Sequence, residues 1–250
     1  MPIRLLNKLQ QYAPLTETDR LFLQTAAERR RVSLRAHEDV LVEGERPTAI
    51  FLFVEGWAYR YKTLDDGRRQ ILAFLLPGDL GDAGDPPARE MDHSIATLTP
   101  VVLAELVRDD LDRIAAGHPA LAEALSWEAL AQGAIQREWT LNVGRRTALE
   151  RIAHLLCELF ARLAAVGLAQ GGACDLPLSQ SDLADATGLS AVHVNRVLQQ
   201  LRSDGLVRLH DRRMELPDLA ALQRLAKFNP GYLHLHYRRR AADAAGVPAS

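Results

Sequence analysis

Apolar and polar positions alternate with different periods along this chain, and the changes of period divide it. Leu21, Leu23 and Ala27 follow Thr16, whose hydroxyl suits the first free N–H groups of a helix, so a short helix is predicted over residues 16–31. Residues 32–106 then carry short β-rich runs at 39–42, 50–54, 57–61 and 70–76. Turn residues separate them: Gly44, Gly56, the Asp66 and Gly67 pair, and Pro77 with Gly78. Regular strands of this length predict a small antiparallel barrel or jelly roll, with Asp66 and Gly67 as its clearest hairpin turn. Helical spacing returns at Arg108 and is reset by Gly117, His118 and Pro119. A long helix is predicted to about Asn142, with Leu121, Leu125, Ile135 and Trp139 along one side and Glu128 and Gln132 interrupting them. That stripe suits either packing on the chain's own barrel or a parallel pair across a two-fold axis, and the second is expected here. Val143 and Gly144 are the expected hinge. Leu149, Ile152, Leu155, Leu156, Leu159, Phe160 and Leu163 then mark another helix, ended by Gly167, with residues 169–175 expected as a linker.

The stretch from Leu178 to Arg202 has the densest pattern. Ser179 with Asp182 signals a helix start, and Leu183, Ala184 and Ala186 give that helix a small apolar face. Gly188 suits a sharp reversal because it takes positive φ without a Cβ penalty. Ser190 caps the next helix, whose Val194, Val197, Leu198 and Leu201 point inward. Ala191, Val192, Asn195, Arg196 and Gln199 turn outward. A helix with a slim polar outer face fits the DNA major groove, where Arg bridges guanine O6 and N7 and Asn or Gln bridges adenine. The following residues read as two short strands around His210, Asp211 and Arg212, which makes a winged helix-turn-helix pattern.

Composition adjusts this picture modestly. At 250 residues and 48% hydrophobic content, the chain is long enough for two domains with real cores. Its net charge of −2 is unevenly spread, +4 from Val143 onward against −6 before it, as expected of an acidic sensor joined to a DNA reader. The first fifteen residues mix Arg4 and Lys8 with polar residues rather than forming a signal peptide, and no apolar run is long enough to cross a bilayer. A cytoplasmic protein without membrane contact is expected. Cys157 and Cys174 are the two cysteines, too few for a disulfide framework. Cys157 reads as a small core residue and Cys174 as a loop residue open to solvent.

Glu43 to Glu45, the run from Ile50 to Gly56, the segment Pro77, Gly78, Asp79, Leu80 and Gly81, and the helix-turn-helix together resemble the cyclic-AMP receptor and fumarate/nitrate reduction regulator superfamily, Crp/Fnr. The resemblance spans about residues 16–225. It implies an α+β fold: an N-terminal antiparallel β-barrel or jelly roll of cyclic-nucleotide-binding type, a long dimerisation helix and a C-terminal winged helix-turn-helix. The expected divisions are 1–117, 118–142, 143–228 and a tail from 229 to 250. It also implies a homodimer acting at promoters on a palindromic operator, with RNA polymerase as a further partner.

Cyclic-nucleotide-binding members carry a Glu for the ribose after Pro-Gly, then an Arg-Ser pair for the phosphate. Asp79 stands at the Glu position, and Met91 and Asp92 stand where Arg and Ser would be. Neither replaces the guanidinium clamp, and Asp82, Asp85 and Glu90 add like charge, so neither cyclic AMP nor cyclic GMP is expected to bind. Arg89 is the cation that a rearranged loop would have to supply. Iron–sulfur members use N-terminal cysteines, and this chain has none before Cys157. His93 and His118 are the available axial ligands for haem, without neighbours that favour it. No cofactor and no metal site is expected.

Arg196 matches the family position that reads a guanine. Ala191 and Val192 replace the first-turn Arg and Glu of the cyclic-AMP receptor, so its base code does not carry over; Val192 suits a thymine methyl, and Asn195 and Gln199 suit base edges. Ser179, Gln180, Ser190, His193 and Arg212 are expected at phosphates. No catalytic residue is expected. The competing readings are a cupin-like metal enzyme, for which the barrel offers His37 and His93 without ligand spacing, and a DNA-binding protein that has lost ligand control. In the tail, His234 and His236 alternate as in a strand, and Arg238, Arg239 and Arg240 form a charge run read as solvated.

Overall fold

Two helices precede the first strand in the computed structural model, which describes residues 4–81 and 90–235. Helix α1 (Arg4–Leu9) was not expected from the mixed polar sequence; it buries Leu5, Leu6 and Leu9. Helix α2 (Glu17–Arg29) starts at Thr16 as the pattern required. The Thr16 hydroxyl accepts from the Asp19 N–H at 3.2 Å while the Asp19 carboxylate accepts from the Thr16 N–H at 2.9 Å, so two otherwise orphaned donors are satisfied reciprocally. The second Asp19 oxygen lies 2.8 Å from His118 Nδ1. His118, considered above as a haem ligand, therefore ties α2 to the start of the long helix.

The strands are β1 (Arg31–Leu34), β2 (Asp39–Leu41), β3 (Ala49–Glu55), β4 (Ala58–Thr63), β5 (Arg69–Leu75), β6 (Ser94–Thr97) and β7 (Val101–Val107). They form two antiparallel sheets, ordered β1-β7-β3 and β2-β6-β4-β5, so the predicted barrel or jelly roll is an unclosed jelly roll. Asp66 and Gly67 lie in the β4–β5 hairpin. At Gly56, between β3 and β4, φ is +81° and a Cβ would stand 2.2 Å from the Pro100 carbonyl oxygen, so that approach of two backbones requires glycine.

Helix α3 (Arg108–Gly117) leads to α4 (Pro119–Arg145), which opens on a proline whose missing N–H costs nothing at that position. The α4 helix runs through Val143 and Gly144, so the expected hinge there is instead continuous helix, and the path breaks at Arg146 and Thr147. Thr147 caps α5 (Ala148–Ala165) through a box with Glu150. Of the α4 stripe, Leu121, Ile135 and Trp139 are buried within the chain itself and Leu125 lines a cavity described below. The stripe faces its own protomer.

Residues 169–175 form a hairpin rather than a linker. Its strands β8 (Ala169–Gln170) and β9 (Ala173–Asp175) join β10 (Arg208–His210) and β11 (Arg213–Glu215) in a sheet ordered β10-β11-β9-β8. Cys174 pairs with Met214 across it and is 3% exposed, not open to solvent; burial pushes its thiol up to about 11. Cys157 is buried as expected. Between these strands lie α6 (Gln180–Thr187) and α7 (Ala191–Ser203), and α8 (Leu219–Ala226) follows. A 3-10 turn, Pro230–Leu233, then carries the chain back onto α4, where the His234 ring stands 5.5 Å from that of Trp127. One continuous apolar cluster joins Trp57 and Phe74 of the jelly roll, Trp139 of α4 and Leu155, Leu198 and Leu222 of the C-terminal helices.

Candidate nucleic-acid interface and effector cavity

The α6–α7 pair is built by its caps. Ser179 Oγ accepts from the Asp182 N–H at 3.1 Å, and Asp182 accepts from the Ser179 N–H at 2.9 Å and from its hydroxyl at 2.6 Å. The Ser179 proton, expected to reach a phosphate, is thus engaged within the cap. Gly188 ends α6 with φ +64°, a conformation that any side chain would strain. Ser190 Oγ accepts from the His193 N–H at 3.2 Å, which leaves the hydroxyl proton to donate elsewhere. Val194, Val197, Leu198 and Leu201 are buried, as the periodicity required. Ala191, Val192, Arg196 and Gln199 are exposed, Val192 by 73%. Asn195 is half-buried, with its Oδ1 at 3.5 Å from the Gln180 amide.

Two arginines outside the motif hold this pair in place, and sequence reasoning passed over both. Arg151 of α5 donates to the Thr187 carbonyl at 2.6 Å and to the Val143 and Arg146 carbonyls at 2.9 and 3.1 Å, so it caps the ends of α4 and α6 together. Arg69 of β5 donates to Asp185 at 2.9 Å and to the Tyr59 hydroxyl at 2.8 Å, which fastens the β4–β5 hairpin to α6. The wing places Arg212 at its tip with φ +59°. There it lines a cleft of about 560 Å³ with Arg4, Glu55 and Asp175, between the wing and the jelly roll.

A second hollow of about 580 Å³ opens between the jelly roll and α4, where Ile50, Leu80, Leu106 and Leu125 supply apolar walls. Its buried cation is Arg60, which donates to the Leu80 carbonyl at 3.1 Å and the Gln132 amide oxygen at 3.3 Å. The signal for Arg60 was present in the sequence, a charge inside the apolar run of β4. Of the residues expected at the effector pocket, Asp92 lines this hollow with its carboxylate 2.7 Å from His93 Nδ1. Met91 instead packs into the core with Leu41, Phe53 and Ile95. Arg89 lies outside the described residues, as do Asp82, Asp85, His236 and the run from Arg238 to Arg240.

Asp79 is not among the residues lining the hollow. It is 3% exposed, and one oxygen takes Lys8 Nζ at 2.6 Å while the other takes Arg162 at 2.6 Å and the Leu76 N–H at 2.7 Å. Burial alone would raise its pKa, but the two cations outweigh that cost and hold the carboxyl well below the usual carboxylate range. The Pro-Gly-Asp segment located a functional-looking carboxylate; its partners, 71 and 83 residues away, were invisible in the pattern.

Among the described residues no helix is long and apolar enough to cross a membrane, and no group of three or more His, Cys, Asp or Glu side chains is placed to hold a metal ion.

Comparison with known proteins agrees with this arrangement at both ends. Residues 31–118 match the cyclic nucleotide-binding domain and residues 150–225 the Crp-like helix-turn-helix domain. A probable transcriptional activator of Rhizobium leguminosarum bv. viciae is 33% identical over 78% of this chain and 80% of its own length. The nitrogen fixation regulation protein FixK of Bradyrhizobium diazoefficiens is 31% identical over 79% of this chain and 82% of its own. The solved structure of FixK2 from Bradyrhizobium japonicum superposes with a TM-score of 0.70 at 30% identity, covering 78% of this chain and 96% of that one. With a cyclic nucleotide-binding domain, a long helix and a Crp-like helix-turn-helix in one chain, and relatives of this identity and coverage, the chain belongs to the Crp/Fnr superfamily and is a DNA-binding transcription regulator.

Proposed function

We propose that the chain acts as a homodimer that reads a two-fold symmetric promoter site and recruits RNA polymerase there as an activator, in the cytoplasm and without catalytic chemistry of its own. The observation that carries this reading is the outer face of α7, which is small, polar and exposed over a fully apolar inner face. Arg196 reads a guanine; Asn195 and Gln199 meet base edges, and Val192 with Ala191 meets thymine methyl groups. Gln180, Ser190, His193 and the wing-tip Arg212 fix the register on phosphates. Ser179 serves the cap and contributes to the phosphate contact through its helix end. Names of the relatives as transcriptional activators support activation rather than repression.

Dimerisation uses the side of α4 opposite the buried stripe. Ser126, Leu130, Gly133, Arg137 and Thr140 recur there at alternating four- and three-residue steps, the spacing of a helix paired with its copy, and Leu130 and Leu141 are 57% and 45% exposed. The signal is other than cyclic AMP, or abundance alone sets activity. Met91 is committed to the core, and Arg60, the cation at the hollow, is held by Gln132 and a carbonyl. Selection of binding sites from a random duplex pool by the purified protein, at two salt concentrations, tests the reading. A near-palindrome with half-sites about 34 Å apart is the expected result, and enrichment of no symmetric site in the presence of cell extract overturns it.

A further inference from the structure

We infer that Arg162 is the positioning residue that sets the orientation of the DNA-reading helices on the jelly roll, acting through a buried charge node sealed by the C-terminal segment. The inference rests on the DNA-reading role proposed above. The node draws on four separate elements: Lys8 from α1, Asp79 from the turn after β5, Glu128 from α4, and Glu158 and Arg162 from α5, all buried. Lys8 bridges Asp79 and Glu128, at 2.6 and 2.5 Å. Arg162 spreads its guanidinium over Asp79 at 2.6 Å, the Phe74 carbonyl at 2.8 Å and Glu158 at 3.3 Å. A single carboxylate, Asp79, thereby joins the N-terminal helix to the first helix of the reader.

Two features make this node an orienting device rather than one more internal salt bridge. Arg162 is a planar fork with donors in fixed directions; braced by Glu158 of its own helix, it meets Asp79 and the Phe74 carbonyl together, and that pair of contacts fixes how α5 lies on the end of β5. Lysine keeps the charge but places its donors on one nitrogen, so it lacks the fork that reaches Glu158 from one nitrogen and Asp79 and Phe74 from the other. The node is also closed from outside by residues that follow the reader. The Tyr232 hydroxyl donates to Glu158 at 2.8 Å, and Leu233 and Leu235 line the same small space as Lys8, Tyr12 and Arg162. These residues lie beyond positions 150–225, where the Crp-like helix-turn-helix match ends. The node also touches the hollow beside α4. Glu128 and Leu80, the second of which follows Asp79 directly, both line it. An occupant of that hollow would press on Leu80, next to Asp79 in the chain, and on Glu128, which shares Lys8 with Asp79.

Orientation matters to a dimeric reader because its two recognition helices must match half-sites one helical turn apart. The test uses the full chain, the symmetric duplex it selects, and the same duplex with one base pair added or removed between half-sites. In Arg162→Lys, discrimination between correct and altered spacing falls by about tenfold, while Arg196-dependent base preference within a half-site is unchanged. Tyr232→Phe and Leu235→Ser, which spare the ion pairs, each lower spacing discrimination by a smaller factor, about twofold to threefold. A folded Arg162→Lys protein that keeps wild-type spacing discrimination overturns the inference. Where Arg162→Lys does not fold, unchanged discrimination in both milder variants overturns it equally. Hydrogen exchange without DNA separates the inference from the reading it rests on: Arg162→Lys accelerates exchange at residues 74–76 and in α5 while leaving α7 protected. That result with no symmetric site selected by the wild type rejects the DNA reading and keeps the node; unchanged exchange rejects the node.

Discussion

The outer face of α7 and the node around Asp79 both follow a turn that the sequence marks, at Gly188 and at Pro77 with Gly78, yet they are assembled over very different spans of chain. Along α7, capping, periodicity and exposure all follow from residues within thirteen positions of one another, from Ser190 to Arg202 and Ser203. At Asp79, the bonding partners come from 71 residues before and 83 residues after. The α7 side chains project to solvent, where a charge is cheap and a missing contact costs little. The node holds its charges in a water-poor interior, where each depends on all the others. A local motif therefore predicts a surface well and a buried network poorly.

That contrast is sharpened first by substitution at the node. Asp79→Asn leaves Lys8 and Arg162 buried with one charge partner fewer, and the expected loss is about 3–5 kcal/mol of stability in urea unfolding. A loss below 1 kcal/mol would place Asp79 with ordinary surface ion pairs and erase the distinction. On the surface side, Arg196→Ala leaves unfolding unchanged. It costs about 1–3 kcal/mol of binding at one base pair in each half-site and relaxes preference there, as read by site selection with the variant.

A third, smaller effect probes burial without any substitution in the node. His154 is fully buried between α4 and the C-terminal segment, with its rings of contact at Phe228 and Tyr232. Burial, with Arg146 nearby, lowers its pKa from 6.5 to about 3, although Glu138 stands 3.3 Å from Nε2. Between those values the unfolded chain takes up a proton that the folded chain refuses. Stability therefore falls as pH drops below 6.5, at a slope of about 1.4 kcal/mol per pH unit for one proton. Urea titrations from pH 6 to pH 4.5 should show that slope reduced by one proton in His154→Gln. An identical slope would mean that His154 charges freely in the folded protein.

Legibility followed the same division throughout the molecule. Thr16, Ser179 and Ser190 were readable as caps because each works on a backbone N–H three residues away. The β4–β5 turn at Asp66 and Gly67 was readable for the same reason. Residues 169–175 were not, since their glycines mark a turn whatever lies on either side, and it is pairing of Ala173 to Asp175 with β11 that makes them a hairpin. The α4 stripe was visible, but its two possible partners have the same apolar character. Leu121, Ile135 and Trp139 face their own chain, and Leu130 and Leu141 are left exposed on the other side.

The order of jelly roll, long helix and winged reader, the two caps of the recognition pair, the inward face of α7 and the lack of N-terminal cysteines were thus determined by the sequence itself, since each depends on residue type and short spacing. Tertiary structure alone decided that Asp79 binds Lys8 and Arg162 instead of lining the hollow and that Met91 joins the core. The physical reason is that a side chain's charge is written in the sequence, whereas its dielectric surroundings and its partner are set only when distant segments meet.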